Sequence, residues 1–543
     1  MDLKKTLAGV ADRAQMEGRA LVALARAGAV GLESPQRLAQ VVKVLRDFGP
    51  FGAVVRISAL RHGDEPAITD ERGTLTYAEF DEAINRLAGG LRGLGLTSGD
   101  SIGILCRNHR QPLIVAFAAS RVGLNAIWLN TSFSGPQARE VAEREGVDLL
   151  VYDAEFAGIV EGLKPSHGKL RVAIDDAPSD ELDQMIAASS SSDLPPAPAK
   201  PGRIVLLTSG TTGTPKGAAR PEPKGFVVPG SLLERMPMRA RETTIIGPPI
   251  FHGTGLILTI IALSLGNRLV LRRGFDPRQL LDDIETYRAS NVCAVPVMLQ
   301  RVLDLGDDVV RQRDLSSLKV IFVAGSQLQG EVAIRTMDLL GDVIYNLYGS
   351  TEVALATLAT PADLREEPVT VGKPVLGTRI KLYDDTGAEV TGVGAKGRIF
   401  VGTLTPFEGY TGGGGKAIID GLLSTGDVGH FDAQGRLYID GRDDDMIVSG
   451  GENVFPAEVE ELLMTFPGVA ECSVIGVADD DFGQRLRAFV VVLDGNAVTE
   501  DDLKGLVKEN LARYKVPREV VFLDELPRNP TGKVLKRVLA ELP

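Results

Sequence analysis

From Gly73 to Gly349 the chain alternates stretches of helical periodicity with short apolar runs, and this alternation limits its architecture more than any other feature. The amphipathic stretch GTLTYAEFDEAINRLAGGLRGLG is followed by the runs SIGILC, DLLVYD, RIVLLT, TTIIG, RLVLR, KVIFVAG and GDVIYNLYG. Strands separated by helices are joined by crossovers, so the pattern predicts an α/β fold whose sheets are mixed or largely parallel and flanked by helices. At 543 residues the chain exceeds one ordinary domain, and a hydrophobic fraction of 44% supplies a large core.

Beyond Asp443 the character changes. VIGVAD and LRAFVVVLDG read as strands, and PAEVEELLMTF as a helix with Pro456 in its first turn. TEDDLKGLVKENL reads as a second helix, with Thr499 and Asp502 placed as a capping box. A small α+β unit is expected, its boundary near the charged turn DGRDDDMIVSGGEN. The tract AASSSSDLPPAPAK reads as a surface linker. At the other end the chain is locally basic. Leu3, Leu7, Val10 and Ala14, then Leu21, Leu24 and Ala25, recur at helical spacing. That helix is expected to pack on the main body, with a peripheral membrane-surface role as the second reading, because lysines and arginines flank its apolar face. The expected division is 1–60, a helical extension; 61–442, a large domain; and 443–543, a small one.

Composition removes several function classes. A net charge of -13 argues against a nucleic-acid partner, which needs a basic face. Cys106, Cys293 and Cys472 match no disulfide or metal pattern, so a reduced, cytoplasmic setting is expected. No apolar run reaches the roughly 18 residues of a spanning helix. The start MDLKKTLAGVADRAQ lacks the continuous apolar core of a secretory signal.

One loop points to chemistry: LLTSGTTGTPKGAA, from Leu206 to Ala219. Gly210, Gly213 and Gly217 let backbone N–H groups approach one point, as a phosphate site requires. Ser209, Thr211, Thr212 and Thr214 add hydroxyl donors, and Lys216 adds positive charge. A Walker loop would end Gly-Lys-Ser/Thr and open a helix. Here Pro215 precedes the lysine, Gly217 follows it, and AARPEPKG brings two more prolines, so no helix is expected to begin.

TSGTTGTPKG resembles the phosphate loop of the acyl-adenylate-forming enzymes: acyl-CoA synthetases, nonribosomal adenylation domains and firefly luciferase. Four further segments resemble that family's motifs in the family's order. They are PPIFHGTG (Pro248–Gly255), YGSTE (Tyr348–Glu352), STGDVGHFDAQGRLYIDGRDDDMIVSGGENVFPAEVE (Ser424–Glu460) and PRNPTGKVLKR (Pro527–Arg537). The resemblance covers the chain from about residue 50 onward. The N-terminal extension, FHGTG and VSGGENVFP are most similar to actinobacterial fatty-acid CoA ligases.

The resemblance implies two half-reactions and a small domain that moves between them. A carboxylate attacks the α-phosphorus of ATP and releases pyrophosphate; a thiol, coenzyme A, then takes the acyl group and releases AMP. Lys533 is implied to reach the carboxylate and α-phosphate, with Glu352 and His252 beside the reacting groups. Glu352 is the implied Mg²⁺ ligand, with Thr208 as a second. Thr208, the loop residues and Lys216 would hold phosphates. Tyr348, Gly349, Ser350 and Thr351 would meet the adenine, flanked by Gly325 and Ser326. Asp427 would bind the ribose hydroxyls, with Arg442 beside it. Asp444 falls at the hinge position. Ser449, Gly450 and Gly451 would let the pantetheine arm of CoA pass. A carboxylate is already ionised near neutral pH, so His252 is expected to act sterically and through hydrogen bonds rather than as a base.

The leading expectation is a ligase that converts a medium- or long-chain fatty acid, ATP and CoA into acyl-CoA, AMP and pyrophosphate. The alternative is a ligase for an aryl acid, or one that transfers to a carrier-protein phosphopantetheine. Ten residues follow Lys533, which favours a stand-alone ligase with a diffusible thiol. A third class is a luciferase-like oxidoreductase or an inactive nucleotide binder; the presence of Lys533, Glu352 and the loop counts against inactivity. Chain length is not legible, because acyl pockets are lined by scattered residues. A homodimer is compatible with the sequence.

Overall fold

The computed structural model describes residues 3–31, 33–173, 180–189, 193–208, 216–218, 225–404, 407, 409–411, 415–443, 447–449, 452–479, 483–493, 495–530 and 532–542. Two sheets form the body of the large part. One has nine strands, and its centre is a parallel block ordered Ile344–Tyr348, Val320–Val323, Asn291–Ala294, Thr243–Ile246, Arg268–Leu271 and Pro66–Asp70. The other has six strands, parallel from Lys169–Val172 through Val147–Asp153, Ser101–Leu105 and Asn125–Trp128 to Ile204–Thr208. Each apolar run of the sequence is one of these strands. Helices such as Arg110–Val122 and Gly253–Ser264 lie between the sheets and are buried along most of their length.

The N-terminus forms two helices, Leu3–Ala27 and Pro35–His62. The first is amphipathic, and among the residues whose burial is described its buried stripe shares Leu24 with the one read from spacing but not Ala14, Leu21 or Ala25. Ala20, Ala23, Leu24 and Ala27 are buried, whereas Leu21 is 41% exposed and Ala25 is exposed. The cause is close packing on the helix Val227–Leu233, where a Cβ on Gly230 would lie 2.8 Å from Ala20 Cβ. Small residues make that approach feasible, so the small-residue face turns inward. The second helix breaks at Gly49 (φ 70) before Pro50. After the break it buries Phe51, Val54 and Val55 in the same core as Ile68, Tyr77 and Phe80.

A third, wholly antiparallel sheet spans residues 379–442 and lies between the parallel sheets and the small part in sequence. The small part is a five-stranded sheet, from Ile447–Ser449 to Glu519–Leu523, with helices Pro456–Met464 and Glu500–Asn510. Pro456 sits in the first turn of its helix, and Thr499 and Asp502 form a reciprocal capping box. Among the described residues no helix is long and apolar enough to cross a membrane.

Candidate active site

In the nine-stranded sheet the strands Thr243–Ile246, Val320–Val323 and Ile344–Tyr348 run parallel, so the segments that follow them emerge at one edge. Those segments carry His252, Gly325 and Ser326, and Gly349 to Glu352. The carboxyl ends of parallel strands are where open α/β sheets place their ligands. Ile204–Thr208 leads into the phosphate loop, and Lys216–Ala218 returns antiparallel to it, with Thr208 opposite Lys216. A strand, not a helix, follows the loop, as Pro215 and Gly217 require. Gly217 is also fixed by packing: a Cβ there would lie 2.6 Å from Thr411 Oγ1 and 2.9 Å from Glu145 Oε2.

Glu352 is half-buried. Tyr410 Oη donates to its Oε1 at 2.6 Å and Ser350 Oγ to its Oε2 at 2.8 Å. Burial works against its ionisation, but these hydrogen bonds, with the field of Lys416, outweigh it and hold the carboxyl below its usual range. An ionised carboxylate among hydroxyl donors is a hard-oxygen site, which fits Mg²⁺ held jointly with phosphate oxygens and water. Lys216 Nζ lies 5.7 Å from the centroid of the Tyr410 ring.

Asp427 and Arg442 are register partners on adjacent antiparallel strands, with Nη1 and Oδ1 3.7 Å apart. The other Asp427 oxygen accepts from the Tyr348 hydroxyl. Burial raises the Asp427 pKa, against the pull of Tyr348, Arg442 and Lys533. Burial and the adjacent Asp427 charge together push the Tyr348 phenol well above its ordinary value. A Cβ on Gly426 would lie 3.3 Å from Arg442 Nη2 and 3.4 Å from Lys416 Nζ. Lys216, Lys416, Arg442 and Lys533 thus surround two carboxylates, an arrangement that suits a polyphosphate.

His252 occupies the N-cap position of Gly253–Ser264 without a capping hydrogen bond from its side chain, and it is partly buried. Burial, and secondarily Lys533, lowers its pKa to about 4, so the imidazole is neutral near pH 7. Lys533 reaches this region from the small part and acts electrostatically on both His252 and Asp427. Hydrogen bonds join the described residues on either side of position 531. Asn529 Oδ1 accepts from Lys533 N at 2.9 Å, Asn529 N donates to Lys533 O at 2.9 Å, and Arg528 Nη1 donates to Gly532 O at 2.6 Å. Gly532 (φ 80) is also close to the large part: a Cβ there would lie 2.7 Å from Val297 Cγ1. Gln327 Nε2 donates to Glu461 Oε1 at 2.7 Å, a second tie between the two parts.

The structure therefore brings together Lys533, His252, Asp427, Arg442 and Tyr348, and separately joins Glu352, Ser350 and Lys216 through Tyr410. Gly325 (φ 100) faces Val295 and Thr254. Gly349 is exposed, and Ser326 and Thr351 are partly so, on the same edge. Ser209, Gly210, Thr211, Thr212, Gly213, Thr214, Asp444, Gly450 and Gly451 lie outside the described residues. For Thr208 and Ser449 the backbone places them in strands. Sequence reasoning missed Tyr410, Thr411, Lys416 and Gln327. The first three surround a glycine run, GYTGGGGK, that carries no helix or strand period.

This is the fold of adenylate-forming enzymes. The structure of o-succinylbenzoate CoA synthetase from Bacillus subtilis, solved with its acyl-adenylate intermediate, superposes with a TM-score of 0.78 at 26% identity, covering 90% of this chain and 98% of that one. A model of the AMP-binding enzyme family matches residues 55–411, and one of the AMP-binding enzyme C-terminal domain matches 458–533, so the chain belongs to the AMP-binding enzyme family. Feruloyl-CoA synthase of an Amycolatopsis species is 34% identical over 487 residues, 88% of this chain and 94% of that protein. A long-chain-fatty-acid–CoA ligase of Mycobacterium tuberculosis is 29% identical over 484 residues, again 88% and 94%.

Proposed function

We propose that the protein activates a medium- or long-chain fatty acid with ATP and transfers the acyl group to CoA. The observation that carries this reading is the docking of the Lys533 loop on the large part, where a Cβ on Gly532 would lie 2.7 Å from Val297 Cγ1 and the Lys533 charge acts on His252 and Asp427. In the first step a carboxylate oxygen bonds to the α-phosphorus and the bond to pyrophosphate breaks. Charge accumulates on phosphorus, so fixed cations do most of the work. Lys533 lies against the attacking carboxylate and α-phosphate. Lys216, with the phosphate loop, holds the oxygens that leave. Asp427 and Arg442 hold the ribose end, and Tyr348 with Gly325 and Ser326 borders the base. Neutral His252 shapes the entrance to the acyl carbon and takes no proton. Mg²⁺, held by Glu352 and Thr208, would supply charge neutralisation on the phosphates. In the second step the thiol attacks the acyl carbon and AMP leaves. Asp444 serves as the hinge, and the strand around Ser449, with Gly450 and Gly451, borders the pantetheine path. The working division remains 1–60, 61–442 and 443–543.

Support for an apolar acid is the surroundings of His252: Ile250, Phe251 and Leu256 are buried beside it. The identity to a feruloyl-CoA synthase favours an aryl acid as the second reading. A pyrophosphate-release panel from acetate to palmitate, with ferulate and benzoates, each with and without CoA, separates them. Palmitate turnover that needs CoA supports the first reading. Preference for ferulate replaces it with the second, and turnover that stops at the acyl adenylate removes both. A cytoplasmic protein that meets its acid at an inner membrane face is part of the same proposal. Leu38, Val42 and Leu45 recur at helical spacing and are 53%, 56% and 38% exposed, and the first 62 residues carry ten basic and five acidic side chains. Flotation with anionic vesicles tests this, and equal recovery with zwitterionic ones rejects an electrostatic contact.

A further inference from the structure

Three parts of the chain that are remote in sequence meet at one aromatic ring. Lys216 opens the strand that leaves the phosphate loop, and Glu352 follows the strand Ile344–Tyr348. Tyr410 lies between the strands Gly397–Gly402 and Ile418–Ile419 of the antiparallel sheet. Its hydroxyl donates to Glu352 at 2.6 Å, and its ring lies 5.7 Å from the Lys216 ammonium.

We infer that Tyr410 is a positioning residue: it holds the Glu352 carboxylate and the Lys216 ammonium in one fixed relation across the nucleotide site. The ring itself is well held. Phe407 packs edge-on against it with centroids 4.9 Å apart. The next residue is tied to the strand Lys216–Ala218 by two hydrogen bonds and to Glu145 by a third. Thr411 N donates to Gly217 O at 2.9 Å, Gly217 N donates to Thr411 Oγ1 at 2.9 Å, and Thr411 Oγ1 donates to Glu145 Oε1 at 2.7 Å. The backbone beside Tyr410 is therefore anchored to the strand that carries Lys216.

The two ends of the phenol do different work. The hydroxyl fills one lone pair of Glu352 Oε1, while Ser350 fills one on Oε2, which orients the carboxylate and leaves further lone pairs for a hard cation. The ring face draws the ammonium by its quadrupole. A metal-bound polyphosphate needs an anion for the metal and a cation for the leaving oxygens at a set distance, and a single side chain sets that distance here. This inference rests on the reading of Glu352 and Lys216 as nucleotide-side groups.

Phenylalanine keeps the ring and removes the donor; leucine removes both. The test measures ATP affinity of the full chain by calorimetry, in Mg²⁺ and in EDTA, for Tyr410→Phe, Tyr410→Leu, Glu352→Gln, Lys216→Met and their pairs. Thioester formation from supplied acyl-AMP is followed in parallel. Tyr410→Phe should weaken MgATP binding roughly tenfold or more, as loss of a hydrogen bond to a charged acceptor does. That loss should shrink in EDTA, vanish on the Glu352→Gln background and add fully to Lys216→Met. Tyr410→Leu should lose a further few-fold, which is absent on the Lys216→Met background. Thioester formation should stay within about twofold in the phenylalanine variant, since its leaving group is AMP. Unchanged MgATP affinity in Tyr410→Phe, or full additivity with Glu352→Gln, overturns the inference. So does a thioester rate that falls in step with ATP affinity, which marks a merely structural residue. If Glu352→Gln and Lys216→Met themselves leave MgATP affinity unchanged, the underlying nucleotide reading fails as well.

Discussion

His252 stands at the N-cap position of its helix, partly buried, with a pKa near 4 against about 6.5 in an unfolded chain. Between those values the unfolded state binds a proton that the native state refuses, so stability rises with pH across the window and falls as pH drops through it. The group should cost about 2 kcal/mol at pH 5 relative to pH 7. His252→Gln should flatten that part of the decline in urea unfolding midpoints; an unchanged pH dependence would mean the imidazole takes up its proton as readily in the native state as in the unfolded chain. Lys533 makes the opposite kind of prediction, kinetic rather than structural. Lys533→Ala should slow adenylation by roughly two to three decades, the usual effect of removing one fixed donor from a developing charge. Thioester formation from supplied acyl-AMP should persist, and stopped-flow measurement of each half-reaction decides it. Both residues could be singled out from the sequence because each stands in a short motif whose neighbours also matched. Tyr410 was not, because its partners Glu352 and Lys216 are far from it in sequence and only the fold brings them together.

At the scale of elements, the parallel strands were readable because burial on both faces leaves continuous apolar runs. The Thr499–Asp502 cap was readable because its geometry is local. The antiparallel sheet over residues 379–442 was not read, since its strands are half-exposed and interrupted by glycine. The first helix was recognised, but its inward face was only partly placed: Leu24 is buried, whereas Leu21 and Ala25 are exposed. Spacing alone favours leucine over alanine, whereas contact with Gly230 selects for small size. Ala20→Leu tests this directly: overpacking at the 2.8 Å approach should destabilise the fold by about 1–3 kcal/mol, read as a lower thermal midpoint. Val22→Leu, on the exposed side of the same helix, serves as the control and should leave the midpoint unchanged.

At the scale of the molecule, the small part is docked with the Lys533 charge acting on His252 and Asp427 of the large part. The Gln327–Glu461 hydrogen bond and the Gly532–Val297 approach accompany that docking. The thiol step needs a different face, so a rotation near Asp444 is the proposed second state. Asp444→Pro should leave ATP-dependent pyrophosphate release near the parent rate and depress thioester formation by at least tenfold; intact thioester formation in that variant removes the hinge assignment. The two-part division was visible in the sequence as a change of pattern beyond Asp443. The docking was not, because it depends on surfaces that no local period encodes.

The tie between Glu145, Gly217 and Thr411 has a further consequence for heredity and recombination. Any side chain at position 217 would collide with the other two, so substitutions at the three sites are not independent of one another. A chimera with a crossover between residues 145 and 411 would join halves with separate histories at this point. It should tolerate such a crossover only when both parents carry the same residues at the three positions, whatever their overall identity.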